Sequence, residues 1–233
     1  MHIEENGNIT PCCVMPSNIH FVANGIKNYQ NSSTLKEIKQ YFKQDKQHPH
    51  CQFCWDAERN GVRTQRNSTL VDLTKLKKIH LRFNNICNFK CRMCNPKFSS
   101  SWAEENKKHK YFVHDYKLEK DIFESTDDLY ELILENQHSI DQINISGGEP
   151  LISKVNYRFL NFLIDNNLTH ITLAYSTNLS KIDYEGIDLI PLFQKFKKVI
   201  LSVSVDGYGQ DVEYSRHGFK WDSVVKKLEK VRP

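Results

Sequence analysis

Short apolar segments alternate with helical segments over the C-terminal two thirds of this 233-residue chain. The segments 79–86, 142–146, 170–176 and 198–205 are rich in branched apolar residues, and a turn or cap signal follows each, so we predict four strands. Helical periodicity predicts helices at 99–110, 126–135, 156–166, 184–195 and 221–231. This alternation predicts an α/β fold in which parallel strands are joined by right-handed helical crossovers.

Each predicted strand has one apolar and one small, polar face. In the first strand Ile79, Leu81 and Phe83 share the apolar face. The residues of the opposite face are His80, Arg82, Asn84, Asn144, Ser146, Thr172, Ala174, Ser176, Ser202, Ser204 and Asp206. Parallel strands that are covered on both faces are usually apolar throughout. The pattern therefore favours a curved, partial (βα) barrel around a hydrated cavity, with its active site at the C-terminal strand ends. An open sheet with one wet face is the alternative.

Composition narrows the class of protein. Hydrophobic residues make up 39% of the chain and the mean hydropathy is −0.58. We find no apolar run of membrane-spanning length and no secretory signal at the N-terminus, so a cytoplasmic location without membrane attachment is expected. The net charge of +4 is small for this length. A nucleic-acid partner is not expected, because lysine-rich stretches are more often solvated helix faces.

All seven cysteines fall into two groups. The first group contains Cys12, Cys13, Cys51 and Cys54, and the second contains Cys87, Cys91 and Cys94. In a reducing compartment such grouping favours metal binding over disulfides. The second group directly follows the first predicted strand in a Cys-x3-Cys-x2-Cys spacing. Cubane iron-sulfur clusters normally take four cysteine ligands, so three indicate a cluster with one iron open to a further ligand.

The spacing of Cys87, Cys91 and Cys94, with Gly147-Gly148-Glu149-Pro150 far downstream, resembles the radical S-adenosylmethionine (radical SAM) superfamily. The resemblance implies a three-cysteine 4Fe-4S cluster whose open iron binds S-adenosylmethionine. It also implies an external electron donor of the flavodoxin or ferredoxin type. Reductive cleavage would then give a 5'-deoxyadenosyl radical that abstracts hydrogen from a substrate. The family usually has an aromatic residue before the third cysteine, where this chain has Met93.

The same resemblance implies contacts to S-adenosylmethionine at the ends of the strands. Backbone groups of Gly147, Gly148 and Glu149, before Pro150, would hold its amino group, and glycine permits close approach. The further cofactor-binding candidates are Thr177, Asn178, Ser202, Ser204, Asp206 and Arg216. Serine and aspartate suit ribose hydroxyls, and the guanidinium of Arg216 suits the methionine carboxylate, although a surface arginine near a helix start is an equal alternative. Glu149, Asp206 and Tyr208 are unranked candidates for proton transfer, so no catalytic residue is assigned.

Residues 1–75 differ from residues 76–233 in having poor strand signals and one amphipathic helix near 35–42, so we predict two domains. Cys51 and Cys54 can grip one metal, and Cys12 with Cys13 can complete four ligands. This segment, with Glu58, Gly61, Arg63 and Arg66 following, is similar to the twitch or SPASM-like auxiliary-cluster modules of the family. A second 4Fe-4S cluster is therefore expected, and a structural zinc site using His48 or His50 is the alternative.

The superfamily's partial barrel usually has six strands, whereas this chain offers about four. The chain is either a truncated form or fragment, or its N-terminal segment covers the exposed sheet edge. The leading hypothesis is a radical SAM enzyme that acts on a peptide or another small metabolite. The alternative is a non-catalytic iron-sulfur or zinc binding protein with a degenerate, truncated barrel.

Overall fold

We analysed a computed structural model of the chain that describes residues 1–4, 7–15, 26–64, 75–112 and 127–232. The strands are β1 (His2–Ile3), β2 (Ile9–Thr10), β3 (Lys78–Arg82), β4 (Lys90–Cys91), β5 (Gln142–Ser146), β6 (Thr172–Thr177), β7 (Asp183–Tyr184), β8 (Ile187–Asp188), β9 (Val199–Val203) and β10 (Arg216–His217). The helices are α1 (Ile26–Asn31), α2 (Ser33–Lys43), α3 (Gln52–Arg59), α4 (Ser100–His109), α5 (Asp127–Glu135), α6 (Lys154–Asp165), α7 (Ile190–Phe193), α8 (Gln210–Ser215) and α9 (Trp221–Val231).

A central sheet has the strand order β2-β1-β3-β5-β6-β9. In this sheet the pairs β1–β3, β3–β5, β5–β6 and β6–β9 are parallel, whereas β2 is antiparallel to β1. The parallel pairing of the four predicted strands is therefore confirmed, as is the mixed α/β class. The first of them ends at Arg82 rather than at residue 86, because the chain there turns into the cysteine loop. Closure into a partial barrel remains a prediction.

The apolar face of the sheet packs against helices. Ile79, Leu81 and Ile143 are completely buried in one core with apolar side chains of α5 and α6. In α6, Val155, Phe159, Leu160 and Leu163 recur at helical spacing and are all buried. Burying each such side chain stabilises the fold by roughly 1.5–3 kcal/mol, so this face sets the position of the strands.

The polar face of the sheet borders a cavity of about 1120 Å³. His80, Asn144, Ser176 and Ser202 contribute its lining on the sheet side, and residues of the N-terminal segment contribute the other side. The polar face that the two-residue alternation predicts therefore does border a cavity. Lys78 and Gln142, the first residues of β3 and β5, also line it, so the cavity extends to the N-terminal ends of these strands.

The N-terminal segment is joined to the sheet directly. His2 lies opposite His80, and Ile3 opposite Leu81, in the parallel β1–β3 pair. The amphipathic helix is confirmed as α2, where Ser32 caps the helix by accepting from the Leu35 amide at 3.0 Å and where Leu35 and Ile38 are buried. The N-terminal strands therefore cover the β3 edge. The division into two domains at residue 75 remains a prediction.

The helix predicted at 184–195 is wrong over most of its length. A β7–β8 hairpin occupies its first part, and the turn has positive φ at Glu185 (48°) and Gly186 (82°). Positive φ is incompatible with a continuing right-handed helix. Only the short α7 follows, whereas the helix predicted at 221–231 matches α9. Within the described parts of the chain, none of the helices is long and apolar enough to cross a membrane.

Candidate functional site

The three C-terminal cysteines lie on a loop between β3 and α4, and the first turn of α4 fastens that loop. The Ser101 hydroxyl donates to the Cys87 carbonyl at 2.7 Å, and the Cys87 amide donates to the Ser100 hydroxyl at 3.0 Å. The Trp102 indole donates to the Cys91 carbonyl at 2.8 Å. Sequence reasoning missed these residues as site residues, although a serine run before a helix is a capping signal.

The far side of the cysteine loop pairs with the chain after the fourth parallel strand. Cys91 in β4 lies opposite Arg216 in β10. The Arg216 guanidinium approaches the Cys91 sulfur, with Nη1 at 3.7 Å from Sγ, and forms an ion pair with Asp206 at 2.5 Å between Nε and Oδ2. The Arg216 side chain is only 15% exposed. Asp206 and Arg216, both far from Cys91 in sequence, are thus brought to a predicted cluster ligand.

The thiols of this loop influence one another. Burial, with smaller contributions from Glu149, Cys91 and Cys94, raises the pKa of Cys87 to about 12. Burial also raises the pKa of Cys91, against the influence of Arg216, and raises the pKa of Cys94. A bound metal would reverse this preference, because a coordinating thiol is held deprotonated.

The chemistry of the three thiols fits an iron-sulfur centre. Across the described ranges, however, no set of three or more His, Cys, Asp or Glu side chains is arranged to hold a metal ion. Ligation by Cys87, Cys91 and Cys94 therefore stays a prediction that would require the loop to adjust.

The two glycines after β5 lie against the start of the cysteine loop. A Cβ on Gly147, whose φ is 123°, would lie 2.7 Å from the Asn84 carbonyl oxygen, and one on Gly148 would lie 2.1 Å from that of Ile86. The amides of Gly148 and Glu149 donate to these same oxygens at 3.0 and 2.6 Å. Glycine is thus required here by the protein's own backbone. Any backbone contact to an ammonium group would be made by the carbonyls, because amide and ammonium groups are both donors.

Glu149 links the ends of two neighbouring strands. Its side chain is buried and accepts hydrogen bonds from the Thr177 hydroxyl at 2.6 Å, the Asn178 amide at 2.6 Å and the Leu151 amide at 3.1 Å. Burial raises its pKa, and the three donors oppose that rise. Pro150 follows in a short buried 3-10 turn. These contacts make Glu149 a structural cross-link between the β5 and β6 ends.

Asn178 continues the linkage to the cysteine loop. Its side-chain amide donates to Asn88 at 3.2 Å, and Asn88 donates to the Ser180 hydroxyl at 2.9 Å. Asn88 and Ser180 were not among the predicted site residues, because no local pattern marks a contact across 92 positions. The strand-end residues Glu149, Thr177 and Asn178 therefore form one connected network with the loop.

The remaining candidates of this side lie at the edge of that network, in the cavity lining or at the surface. Ser202 lines the cavity, while the Ser204 amide donates to the Thr177 carbonyl at 2.8 Å. Met93 is 57% exposed, and Tyr208 is 75% exposed with its ring against Trp221. Met93, on the cysteine loop, and Tyr208 are therefore both at the surface.

The four N-terminal cysteines, Cys12, Cys13, Cys51 and Cys54, all line the large cavity. Cys54 is buried and Cys13 is exposed. Burial raises the pKa of Cys12, and the neighbouring Cys13 and Cys54 add to the rise.

The two histidines proposed as alternative ligands differ in position. Burial lowers the pKa of His48, whose Nδ1 accepts from the His50 amide at 3.2 Å, so this ring caps a turn. His50 lines the cavity with the cysteines. Arg66, the last residue of the similarity to auxiliary modules, lies outside the described residues.

Comparison with known proteins agrees with the cysteine motif. A family model described as the radical SAM superfamily matches residues 81–233. The GTP 3',8-cyclase of Campylobacter lari is 27% identical over 129 residues, which is 55% of this chain and 34% of that protein. The aligned part therefore spans about a third of the length of that relative.

Proposed function

Because the chain belongs to the radical SAM superfamily of enzymes, we propose that it cleaves S-adenosylmethionine reductively and directs the product radical to a small substrate. The carrying observation is that the matched region, 81–233, contains the cysteine loop together with the strand ends that hold it. A 4Fe-4S cluster with S-adenosylmethionine bound supplies the electron that breaks the sulfonium bond and yields a 5'-deoxyadenosyl radical. The protein supplies placement and shielding.

In this proposal Cys87, Cys91 and Cys94 hold the cluster. Support comes from the restraints on their loop, which α4 fastens on one side and β10 on the other. These contacts fix backbone groups of Cys87 and Cys91 relative to α4 and β10, while the thiols themselves would still have to converge. The exposed Met93 side chain marks a surface close to the cysteines where an external donor of the flavodoxin or ferredoxin type would deliver the electron.

The residues around the loop would bind S-adenosylmethionine. The carbonyls of Gly147 and Gly148 would accept from its ammonium group, because an ammonium group can only donate and the backbone acceptors are carbonyl oxygens. Arg216 would pair with the carboxylate, a role that its place between Cys91 and Asp206 supports. Ser202, Ser204 and Asp206 would contact the ribose, and Thr177 and Asn178 would hold the neighbouring strand end in place.

The N-terminal cysteines would hold a second 4Fe-4S cluster. Supporting this, all four line the cavity that the polar sheet face also borders. A cluster there would face the substrate volume, whereas a purely structural zinc ion has no need of such a position. Zinc bound with help from His50 remains the competing outcome.

The substrate would be a small metabolite rather than a folded protein. At about 1120 Å³ the cavity is slightly larger than the roughly 300–1,000 Å³ typical of small-ligand pockets, so a small ligand would fit in it. The similar Campylobacter lari protein is named for GTP, which makes a nucleotide one candidate, and a short peptide remains another.

The experiment is anaerobic reconstitution with iron and sulfide, followed by dithionite, S-adenosylmethionine and chromatography of the products. We expect 5'-deoxyadenosine from the native chain and none from Cys91→Ala. Bound metal without cleavage in the native protein would instead favour a non-catalytic metal-binding protein. The observation that supports this alternative is that, within the described residues, the cysteines are not arranged around a common metal position.

A further inference from the structure

The cavity between the N-terminal segment and the sheet has an unbalanced charge. Five lysines line it, namely Lys39, Lys46, Lys75, Lys77 and Lys78. Among the described lining residues Asp45 is the one carboxylate, and Asp141 lies near Lys77 with a 3.4 Å ion pair. The walls therefore carry net positive charge, which favours an anionic ligand.

A half-buried histidine, His80, also lines the cavity. Burial, with smaller contributions from the positive charges of Arg82 and the N-terminal ammonium, lowers the pKa of His80 to about 4. His80 is thus neutral near pH 7, and its Nε2 lies 2.7 Å from the Ser146 hydroxyl. The cavity combines a positive surrounding with neutral hydrogen-bonding groups on its floor.

The type of basic side chain that lines the cavity bears on which anionic group it could bind. The described lining contains lysines and no arginine. Arginine binds carboxylates and phosphates alike through a rigid fork, whereas lysine acts as a mobile point charge, and several lysines together can balance the multiple negative charge of a phosphate group. The opposite wall offers Asn144, Ser176 and Ser202, whose amide and hydroxyl groups suit the uncharged polar part of a metabolite.

We propose that this cavity binds a phosphorylated small metabolite. Its phosphate lies on the lysine side, with Lys39 of α2 as the principal contact because that side chain is half-buried at the wall. Its polar remainder lies on the sheet floor at Asn144 and Ser176. The inference rests on the proposed function, in that the cavity is taken as the substrate volume of a radical SAM enzyme.

The test is calorimetric titration of the anaerobically reconstituted full chain with inorganic triphosphate, at low ionic strength. Citrate serves as a polyanion that carries carboxylates instead of phosphates. We expect triphosphate to bind more tightly than citrate and to weaken as salt is added. Lys39→Ala should weaken triphosphate binding about tenfold, as expected for the loss of one charge-assisted hydrogen bond.

Lys36→Ala is the matched control, because Lys36 is exposed on the same helix and does not line the cavity. It should leave triphosphate binding unchanged. Equal effects of the two variants, equal binding of citrate, or no binding of triphosphate would overturn the inference. If 5'-deoxyadenosine forms normally in that case, the proposed function stands and the phosphate site alone fails. Selective triphosphate binding without any 5'-deoxyadenosine would support the phosphate site and contradict the proposed function.

Discussion

The Asn178 amide donates a 2.6 Å hydrogen bond to the buried Glu149 carboxylate, and so ties the end of β6 to the loop that follows β5. Thr177 adds a second hydrogen bond from the same strand end. The Glu149 amide in turn donates to the Ile86 carbonyl at the start of the cysteine loop. One buried residue thus connects three segments that surround the candidate cluster site.

Glu149→Gln should destabilise the fold by about 1–3 kcal/mol, because an NH2 group would replace a carboxylate oxygen that faces protein donors. The measurement is the free energy of unfolding from urea titration. Glu229→Gln, on the exposed side of α9, is the control and should be nearly neutral. Equal stability of the two variants would contradict the cross-link.

Gly148→Ala should cost about 1–3 kcal/mol or more, because the added methyl group would meet the Ile86 carbonyl oxygen at 2.1 Å and the backbone must move. Gly61→Ala provides the comparison. Gly61 has a φ of 73° but open space around its Cβ position, so only backbone strain of roughly 1 kcal/mol is expected. The Tm of thermal unfolding should be lower for Gly148→Ala than for Gly61→Ala. The opposite order would argue against close packing at the glycine pair.

Acid should destabilise the protein partly through His80. Burial lowers the pKa of His80 from 6.5 to about 4, so between these values the unfolded chain binds a proton that the folded chain does not. This contribution to stability is full above pH 6.5 and is lost as the pH falls toward 4. His2, with a pKa lowered to about 3 by burial, acts in the same direction.

The comparison of urea midpoints at pH 7.5 and pH 5 in His80→Gln isolates this contribution. The variant should lose less stability on acidification than the native chain does. The exposed His217→Gln variant should retain the native pH dependence. A native-like pH dependence in His80→Gln would mean that the imidazole is protonated as readily in the folded as in the unfolded chain.

Arg216→Gln should weaken S-adenosylmethionine binding by about tenfold, because the guanidinium proposed for the carboxylate is lost. Equilibrium dialysis against the reconstituted protein measures the affinity, and iron content per chain should remain native. Arg92→Gln removes a nearby guanidinium that stacks on Tyr214 at 3.8 Å, and its affinity should be close to native. If Arg216→Gln instead loses iron, while the protein that keeps its cluster binds S-adenosylmethionine with native affinity, Arg216 stabilises the cysteine loop and does not bind the carboxylate.

Features set by local pattern could be predicted from the sequence. The strand at 142–146 and the helix at 221–231 have the predicted bounds, because apolar periodicity and cap signals lie within each segment. The strand ends were also expected to share one edge, and the Glu149 and Asn178 contacts agree with that. The family followed from the spacing of three cysteines with a distant glycine pair.

Contacts between distant segments could not be predicted. The pairing of His2 with His80 uses a two-residue strand, which is too short to leave a periodic signal. Arg216 approaches Cys91 because β10 pairs with β4 across 125 positions. The role of Glu149 as a buried cross-link depends on donors at Thr177 and Asn178, which its position in the Gly-Gly-Glu-Pro motif could not reveal.

The most direct measurement of the central proposal is electron paramagnetic resonance of the anaerobically reduced protein, with and without S-adenosylmethionine. To isolate the site at Cys87, Cys91 and Cys94, Cys51 and Cys54 are replaced by alanine. An iron open to ligand binding predicts a 4Fe-4S signal whose g-values shift when S-adenosylmethionine is added. A reduced cluster signal that S-adenosylmethionine leaves unchanged would contradict the account.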